Sequence, residues 1–281
     1  MFESIIGHDE NKKLLENNLV HDSISHAYLF SGKKGVGKCL FAKEFAKAIL
    51  KVDKLESSPD YKYISKRDDK KDIVIEQIRK DLIDDVYQVP ASGDKKVYII
   101  DDAECLNVAS QNALLKTLEE PPKYVVVILI SSNVSAFLTT IISRVNLISF
   151  EGLDYNMVKS YLQNNLNTTF PDSIIKYIDG SIGQAINIYN DSTIEKFKTV
   201  ESLYNCIKNK DVINAMLVSS NIKFNENMLL DYLEFLLYEG LYYSCTKFVE
   251  KAKIRLKYNG NYDIVIDNML LNIIDNIVWG D

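Results

Sequence analysis

Residues 32–39 read GKKGVGKC, which is the phosphate-loop pattern G-x4-G-K-[S/T] at every position except the last, where Cys39 replaces Ser or Thr. The run AYLF at residues 27–30 is typical of a short buried strand. Residues 38–50 carry apolar side chains at helical spacing. A strand, a glycine-rich loop and a helix in this order predict a phosphate-binding unit within a parallel α/β sheet.

The loop carries the groups that hold nucleotide phosphates. Gly32, Gly35 and Gly37 let backbone N–H groups wrap phosphate oxygens, and Lys38 at the start of the next helix would reach the β- and γ-phosphates. The Ser or Thr expected at the last position ligates Mg²⁺ through oxygen, whereas Cys39 offers sulfur, a poor ligand for a hard cation. We therefore predict a degenerate nucleotide site that binds ATP and Mg²⁺ weakly at most.

Three further apolar runs predict the rest of the sheet as buried parallel strands, at residues 97–100, 124–130 and 146–150. Asp101 and Asp102 follow the first of these runs directly. Because parallel sheets bind ligands at the carboxyl ends of their strands, Asp101 is a candidate to hold Mg²⁺ through water. The alternative is a plain strand that ends in a capping carboxylate. Residues 52–71 are polar and of mixed charge, so we predict a loop there.

Composition indicates a soluble globular protein of two or three domains, with 281 residues, 47% hydrophobic and 26% charged. A net charge of −6 argues against a general nucleic-acid-binding surface. Strand-like runs end near residue 152, and the rest of the chain has helical periodicity. We predict an α/β domain at residues 1–152, a small helical domain at residues 153–193 and an all-α C-terminal domain at residues 194–281.

Membrane and disulfide interpretations receive no support from the sequence. The uncharged run at residues 124–143 is long enough for a membrane span, but Ser, Asn and Thr interrupt it, so we expect a strand, a loop and a short helix. The four cysteines are scattered without a CxxC pair, which predicts neither a disulfide framework nor a cysteine-rich metal site. With no basic or apolar leader, a cytoplasmic location is expected.

Five segments together make the chain resemble the clamp-loader branch of the AAA+ ATPases and, more narrowly, the delta-prime subunits of bacterial DNA polymerase III. The most specific is NALLKTLEEPP at residues 112–122, and TIISR at residues 140–144 adds to it. The others are IIGH, HAYLFSG and DDAE, at residues 5–8, 26–32 and 101–104. The resemblance covers about residues 1–190 and implies a RecA-like AAA+ sheet, a helical lid domain and a C-terminal collar domain for assembly.

This resemblance implies a role in a pentameric loader that opens a ring-shaped sliding clamp and places it on primed DNA. The implied partners are gamma/tau and delta subunits, with the clamp and the DNA reached through the complex and no membrane. No independent catalysis is expected of the chain, although the holoenzyme is a DNA-directed DNA polymerase, a nucleotidyltransferase. The family's Ser-Arg motif supplies an arginine finger in trans, and here that residue is Arg144. The alternative is a solvated arginine before an edge strand.

Three departures from the family's ATPase pattern fall in the chain's own ATP site. Cys39 replaces the metal-binding hydroxyl, Asp102 stands where active members have the Glu that orients water, and Gln184 stands where ATP-binding members usually have a sensor Arg. The resemblance therefore implies a subunit that does not hydrolyse ATP. The alternative is an active motor subunit of the gamma/tau type. Residues 51–96 contain no Cys, so the zinc module of many relatives looks deleted and no zinc is expected.

Overall fold

The computed structural model describes residues 2–67, 70–191, 193–222 and 227–277. The chain forms two compact units, which are Met1–Thr169 with Ile178–Gln184, and Phe170–Tyr177 with Ala185–Asp281. The division into three domains at residues 152 and 193 stays a prediction, and residues 278–281 at the end of the third domain lie outside the described residues.

The first unit contains a five-stranded parallel sheet, which confirms the predicted α/β fold. Its strand order is β2-β3-β4-β1-β5, and every neighbouring pair is parallel. The strands are β1 (Ala27–Gly32), β2 (Tyr61–Ile64), β3 (Lys96–Ile100), β4 (Val125–Ser131) and β5 (Asn146–Phe150). All residues of β3 and β4 are buried, as expected when helices cover both faces of a parallel sheet.

The prediction of a loop at residues 52–71, of which 68 and 69 lie outside the described residues, is wrong for a short 3-10 helix, Leu55–Ser57, and for the four residues of β2. Tyr61 pairs with Val97 and Ile64 with Ile100, so this short segment is an edge strand beside β3. Only Ile64 in it is buried, because an edge strand on a solvated border needs few apolar side chains. The mixed polar composition therefore concealed the strand.

Helices and apolar clusters cover the two faces of the sheet. Successive residues of β1 point to opposite faces, so that Tyr28 packs in a cluster with Phe41 and Phe45, while Leu29 packs in another with Leu114. The helices of this unit are α1 (Asp9–Val20), α2 (Lys38–Leu50), α3 (Ile75–Ile78), α4 (Asp84–Val86), α5 (Val108–Glu119), α6 (Thr139–Ile142) and α7 (Tyr155–Leu166). A π-helical segment, Arg79–Ile83, joins α3 to α4.

The apolar run at residues 124–143 forms β4 and then α6, as predicted from its polar interruptions. Throughout the described part of the chain, every helix is too short or too polar to cross a membrane.

Among its described residues, the second unit consists of helices and the turns that join them, which confirms the prediction for the C-terminal part. Its helices are α8 (Asp172–Ile178), α9 (Ile182–Asn190), α10 (Ile194–Lys208), α11 (Val212–Ser220), α12 (Asn227–Glu239), α13 (Tyr243–Lys257) and α14 (Tyr262–Asn276), the first residues of α9 belonging to the first unit. Aromatic rings hold α8, α10 and α12 together. The ring centroid of Tyr232 lies 4.8 Å from that of Phe197 and 5.0 Å from that of Tyr177.

A partly buried charge cluster ties α4 to the sheet. One carboxylate oxygen of Asp85 lies 3.1 Å from Lys96 Nζ and 3.3 Å from Lys62 Nζ, and it accepts a 2.6 Å hydrogen bond from the Tyr98 hydroxyl. The Lys96 side chain is only 5% exposed. Burial opposes the charge of Asp85, but the bonds from Tyr98 and Lys96 outweigh it and hold the pKa of Asp85 below its usual value.

Replacing Asp85 by Ala is expected to lower the free energy of unfolding by about 3 kcal/mol, because Lys96 is then buried without its partner. Replacing Lys62, whose side chain is 34% exposed, should cost about 1 kcal/mol or less. Urea unfolding at pH 7 measures both losses. Since the folded pKa of Asp85 is depressed, its contribution should be present above about pH 4 and disappear as the pH falls through the folded pKa. Equal losses for the two variants would contradict this account.

Candidate functional site

The phosphate loop connects β1 to α2 at the carboxyl edge of the sheet. Gly35 and Gly37 have φ values of +79° and +102°, a backbone region that favours glycine. Lys38 is 6% exposed, and its Nζ donates hydrogen bonds of 2.6 and 2.7 Å to the carbonyl oxygens of Gly32 and Lys33. Burial lowers the pKa of Lys38, against the attraction of nearby carboxylates. The loop lysine is thus engaged by the loop's own backbone.

Residues 180–184 of the same unit are seated on the loop. Ser181 Oγ donates a 2.9 Å hydrogen bond to the Lys34 carbonyl, and the Gly183 N–H donates a 2.8 Å bond to the Gly35 carbonyl. A Cβ atom on Gly183 would lie 2.7 Å from Gly35 Cα, so this approach requires glycine. Gln184, at the position where the family usually has a sensor Arg, is the last residue of this segment. Its N–H donates a 3.1 Å hydrogen bond to Ser181 Oγ.

The two acidic residues after β3 reach the same edge, and each already has partners in the chain. Asp102, with φ +47°, is joined to Lys34 of the loop by a 2.9 Å ion pair, which raises the pKa of Lys34. One oxygen of Asp101 accepts a 2.9 Å bond from the Asp102 N–H. The other oxygen accepts a 2.6 Å bond from the Tyr63 hydroxyl. The structure thus brings the predicted loop and acidic residues together, and both acidic side chains are bonded to groups of the same chain.

Tyr63, on the edge strand β2, is the member of this site that sequence reasoning missed. Its hydroxyl lies 3.8 Å from Cys39 Sγ, and Lys43 Nζ stands 5.0 Å from its ring centroid. Burial, reinforced by the charge of Asp101, raises the pKa of the Cys39 thiol, so the sulfur stays protonated at neutral pH. Tyr61, Tyr63 and Ile64 were the available signal, since aromatic and β-branched residues are enriched in strands.

These residues do not fit Mg²⁺. The ion requires oxygen ligands in a near-octahedral arrangement at about 2.0–2.1 Å. Here position 39 offers a protonated thiol, and both oxygens of Asp101 accept hydrogen bonds. Tyr63 is a neutral phenol whose pKa is raised by burial and by Asp101. Across the residues that the structure describes, no cluster of three or more His, Cys, Asp or Glu side chains is arranged to hold a metal ion.

Arg144 lies at the amino edge of the sheet, where the strands begin, whereas the phosphate loop lies at the carboxyl edge, where they end. It stands two residues before Asn146, which begins β5 and pairs with Tyr28 near the start of β1. The phosphate loop begins at Gly32, where β1 ends. The four residue steps from Tyr28 to Gly32 span about 13 Å. A reaction centre that uses both this arginine and a phosphate loop of this kind would therefore need two chains.

The Arg144 guanidinium is held in a defined orientation. Its Nη2 lies 2.9 Å from a carboxylate oxygen of Glu119, and its Nη1 donates to the Thr140 carbonyl at 2.8 Å and to Ser143 Oγ at 3.0 Å. The side chain is 33% exposed and borders an open recess of about 530 Å³. His26 lines the same recess, and its Nε2 is buried without a hydrogen-bond partner among the described residues. The NALLKTLEEPP and Ser-Arg segments thus meet in one ion pair.

The model of the family described as DNA polymerase III, delta subunit, matches residues 7–154, more than half of the chain. The chain belongs to this family. It is 32% identical over 207 residues to DNA polymerase III subunit gamma of Buchnera aphidicola subsp. Schizaphis graminum, covering 66% of this chain and 57% of that protein. It is also 30% identical over 259 residues to subunit gamma/tau of Mycoplasma genitalium, covering 82% of this chain and 43% of that protein.

A solved structure supports the fold assignment. A DNA polymerase III gamma subunit-related protein from Thermotoga maritima superposes with a TM-score of 0.55 at 18% identity, covering 93% of this chain and 99% of that one. The match spans 57% of the length of the first of these curated relatives and 43% of the second. Because those relatives are named gamma or gamma/tau, the narrower delta-prime identity stays a prediction.

The protonated state of Cys39 predicts its reactivity. We expect iodoacetamide to alkylate Cys39 in the folded chain several times more slowly than in the urea-unfolded chain at pH 8, because only the thiolate reacts and burial disfavours it. Mass spectrometry of the peptide that carries residue 39 follows its labelling separately from the other three cysteines. Equal rates in the folded and unfolded chains would contradict the assigned protonation state.

Proposed function

We propose that this chain is a clamp-loader subunit of DNA polymerase III that does not hydrolyse ATP at its own phosphate loop and that lends Arg144 to the ATP site of a neighbouring subunit. The family match and the relatives named as polymerase III subunits support the first part. The observation that carries the second part is the separation of Arg144 and the phosphate loop to opposite edges of one parallel sheet.

An arginine finger must be fixed, charged and accessible, and Arg144 has these properties. Contacts with Glu119, Thr140 and Ser143 orient the planar guanidinium, and a third of the side chain faces solvent. Arginine presents paired N–H donors that match phosphate oxygens, which a lysine ammonium does not. In an assembled loader, this fork would stabilise the charge on the transferring phosphoryl group of a neighbour's ATP.

The chain's own loop favours a non-hydrolysing role. Lys38 donates to loop carbonyls, Asp102 pairs with Lys34, and Asp101 is held by Tyr63. Removal of a single preorganised contact in an active site costs about 3–4 kcal/mol of transition-state stabilisation. Three catalytic positions differ here, at Cys39, Asp102 and Gln184, so efficient turnover at this loop is not expected.

The alternative is an active motor subunit of the gamma/tau type, which the names of the curated relatives favour. It requires tight binding and turnover of Mg²⁺-ATP by this chain alone. The thiol at position 39 and the hydrogen-bonded Asp101 oppose that requirement, because neither offers an unengaged oxygen for Mg²⁺.

The proposed partners are gamma/tau and delta subunits, with the sliding clamp and primed DNA reached through the complex in the cytoplasm. The helical second unit would supply the assembly surface. On α11, Ile213 is 74% exposed and Leu217, one turn later, is 59% exposed. Apolar side chains at such positions on a helix are typical of a face that packs against another subunit.

Replacing Arg144 by Ala is expected to lower ATP turnover of the assembled loader at the affected site by about a thousandfold, the lower range for an arginine finger. Arg144→Lys should recover little of this loss, because the ammonium lacks the bidentate fork. Steady-state phosphate release from the loader, purified with its ATP-hydrolysing subunits, measures the effect. The matched control is Arg79→Ala, an exposed arginine of the π-helical segment. Normal turnover with assembled Arg144→Ala would refute the finger assignment.

The isolated chain separates the leading proposal from its alternative. We expect no ATP turnover above background from the purified chain with Mg²⁺, since its own site lacks the metal ligand and the water-orienting glutamate. Single-turnover assays with radiolabelled ATP at enzyme excess detect even slow hydrolysis. Steady multiple turnover that is lost in a Lys38→Ala variant would favour the active motor.

A further inference from the structure

The hydroxyl of Tyr63 lies between the two positions that hold the metal in phosphate-loop nucleoside triphosphatases. It donates a 2.6 Å hydrogen bond to Asp101 at the end of β3, and it lies 3.8 Å from the sulfur of Cys39 at the start of α2. In proteins of this fold, the metal is shared between the hydroxyl after the loop lysine and the acidic residue after the neighbouring strand. A side-chain hydroxyl therefore bridges these two positions in this chain.

We propose that Tyr63 excludes divalent cations from this phosphate loop, and that Cys39 is not the sole barrier to a metal. The hydroxyl engages one oxygen of Asp101 and lies 3.8 Å from the sulfur at position 39. A cation bound to Asp101 in the usual way would have to displace it. The inference rests on one part of the proposed function, which is that the chain's own phosphate loop does not act as a metal-dependent site.

Two features keep Tyr63 in this position. Its strand is paired with β3, where Tyr63 lies opposite Ile99, and the Asp101 N–H donates a 2.8 Å bond to the Ile64 carbonyl. The Tyr63 backbone is therefore registered to Asp101 by the sheet itself. On the other side, Lys43 of α2 lies against the ring, at a distance within the range of a cation–π contact.

A phenol in this place is a poor substitute for a metal-binding oxygen. As a neutral hydroxyl it donates its proton to the carboxylate, so a cation would meet the hydrogen bond's positive end rather than a free lone pair. Restoring an oxygen at position 39 alone would leave this obstacle unchanged.

The test compares nucleotide affinity with and without magnesium on the isolated full chain. A fluorescent ribose-labelled ATP analogue is titrated into the wild type, Cys39→Ser and the double variant Cys39→Ser/Tyr63→Phe, once with excess Mg²⁺ and once with EDTA. The matched control is Cys39→Ser/Tyr61→Phe, which removes a hydroxyl from the same strand two residues earlier. Thermal unfolding of each variant verifies that the fold is retained, and Phe preserves the ring at position 63.

We expect Mg²⁺ to leave the nucleotide affinity of the wild type, of Cys39→Ser and of the Tyr61 control unchanged. A variant that binds no nucleotide in either buffer also counts as showing no magnesium effect. In the folded Cys39→Ser/Tyr63→Phe variant, Mg²⁺ should tighten binding about tenfold or more, equivalent to about 1.4 kcal/mol. A tenfold magnesium effect in the wild type or in Cys39→Ser would overturn the proposal, as would its absence from the folded Tyr63 double variant. Because no partner subunit is present, these outcomes are independent of the role of Arg144.

Discussion

The parallel pairing of β1 with β4 and β5 is the constraint on which the functional geometry depends. In a parallel sheet all strands begin at the amino edge and end at the carboxyl edge. A residue that precedes one strand and a loop that follows the neighbouring strand are therefore separated by the full length of a strand. Residues 32–38 follow β1, and Arg144 precedes β5, which is paired with β1 in register. Neither helix packing nor side-chain motion can bring the two together within one chain. The sheet of the first unit therefore has a phosphate-loop edge and an arginine-bearing edge.

At the phosphate-loop edge several polar groups have partners within the chain, although Glu104 Oε2 is buried without a hydrogen-bond partner among the described residues. A buried or partly buried polar group without a partner costs about 1–3 kcal/mol, so internal partners for the amine, carboxylates and carbonyl groups stabilise the loop. Ser181 and the Gly183 N–H serve the loop carbonyls, and Lys34 serves Asp102. The bonds from Lys38 to the loop carbonyls would compete with an incoming phosphate, and the bond from Tyr63 to Asp101 would compete with a cation. The three sequence departures are thus accompanied by a network that stabilises the loop without a ligand.

Much of this arrangement could be predicted from the sequence, and the failures have a common physical cause. Strands β1, β3 and β4 are buried on both faces, so their unbroken apolar runs are visible without any tertiary information. Strand β2 lies at the edge, where only Ile64 needs to be apolar, and its composition resembles that of a loop. The same omission hid Tyr63, since its contact with Asp101 exists only through pairing of β2 with β3. Motifs thus predicted which residues approach the site, whereas hydrogen-bond partners from distant segments required the structure.

At the arginine-bearing edge, the ion pair between Glu119 and Arg144 orients the guanidinium but stabilises it only weakly. A pair in which the partners are 33% and 48% exposed contributes about 0–1 kcal/mol, because water and salt screen it. A phosphate group of a neighbouring subunit would offer the guanidinium more charge and two well-placed oxygens, and charge-assisted bidentate contacts of that kind are the stronger ones. In the proposed finger role, exchange of the carboxylate for a neighbour's phosphate would therefore be favourable. Glu119, Thr140 and Ser143 already orient the guanidinium at the border of the recess, so that little side-chain entropy would remain to be lost on such an exchange.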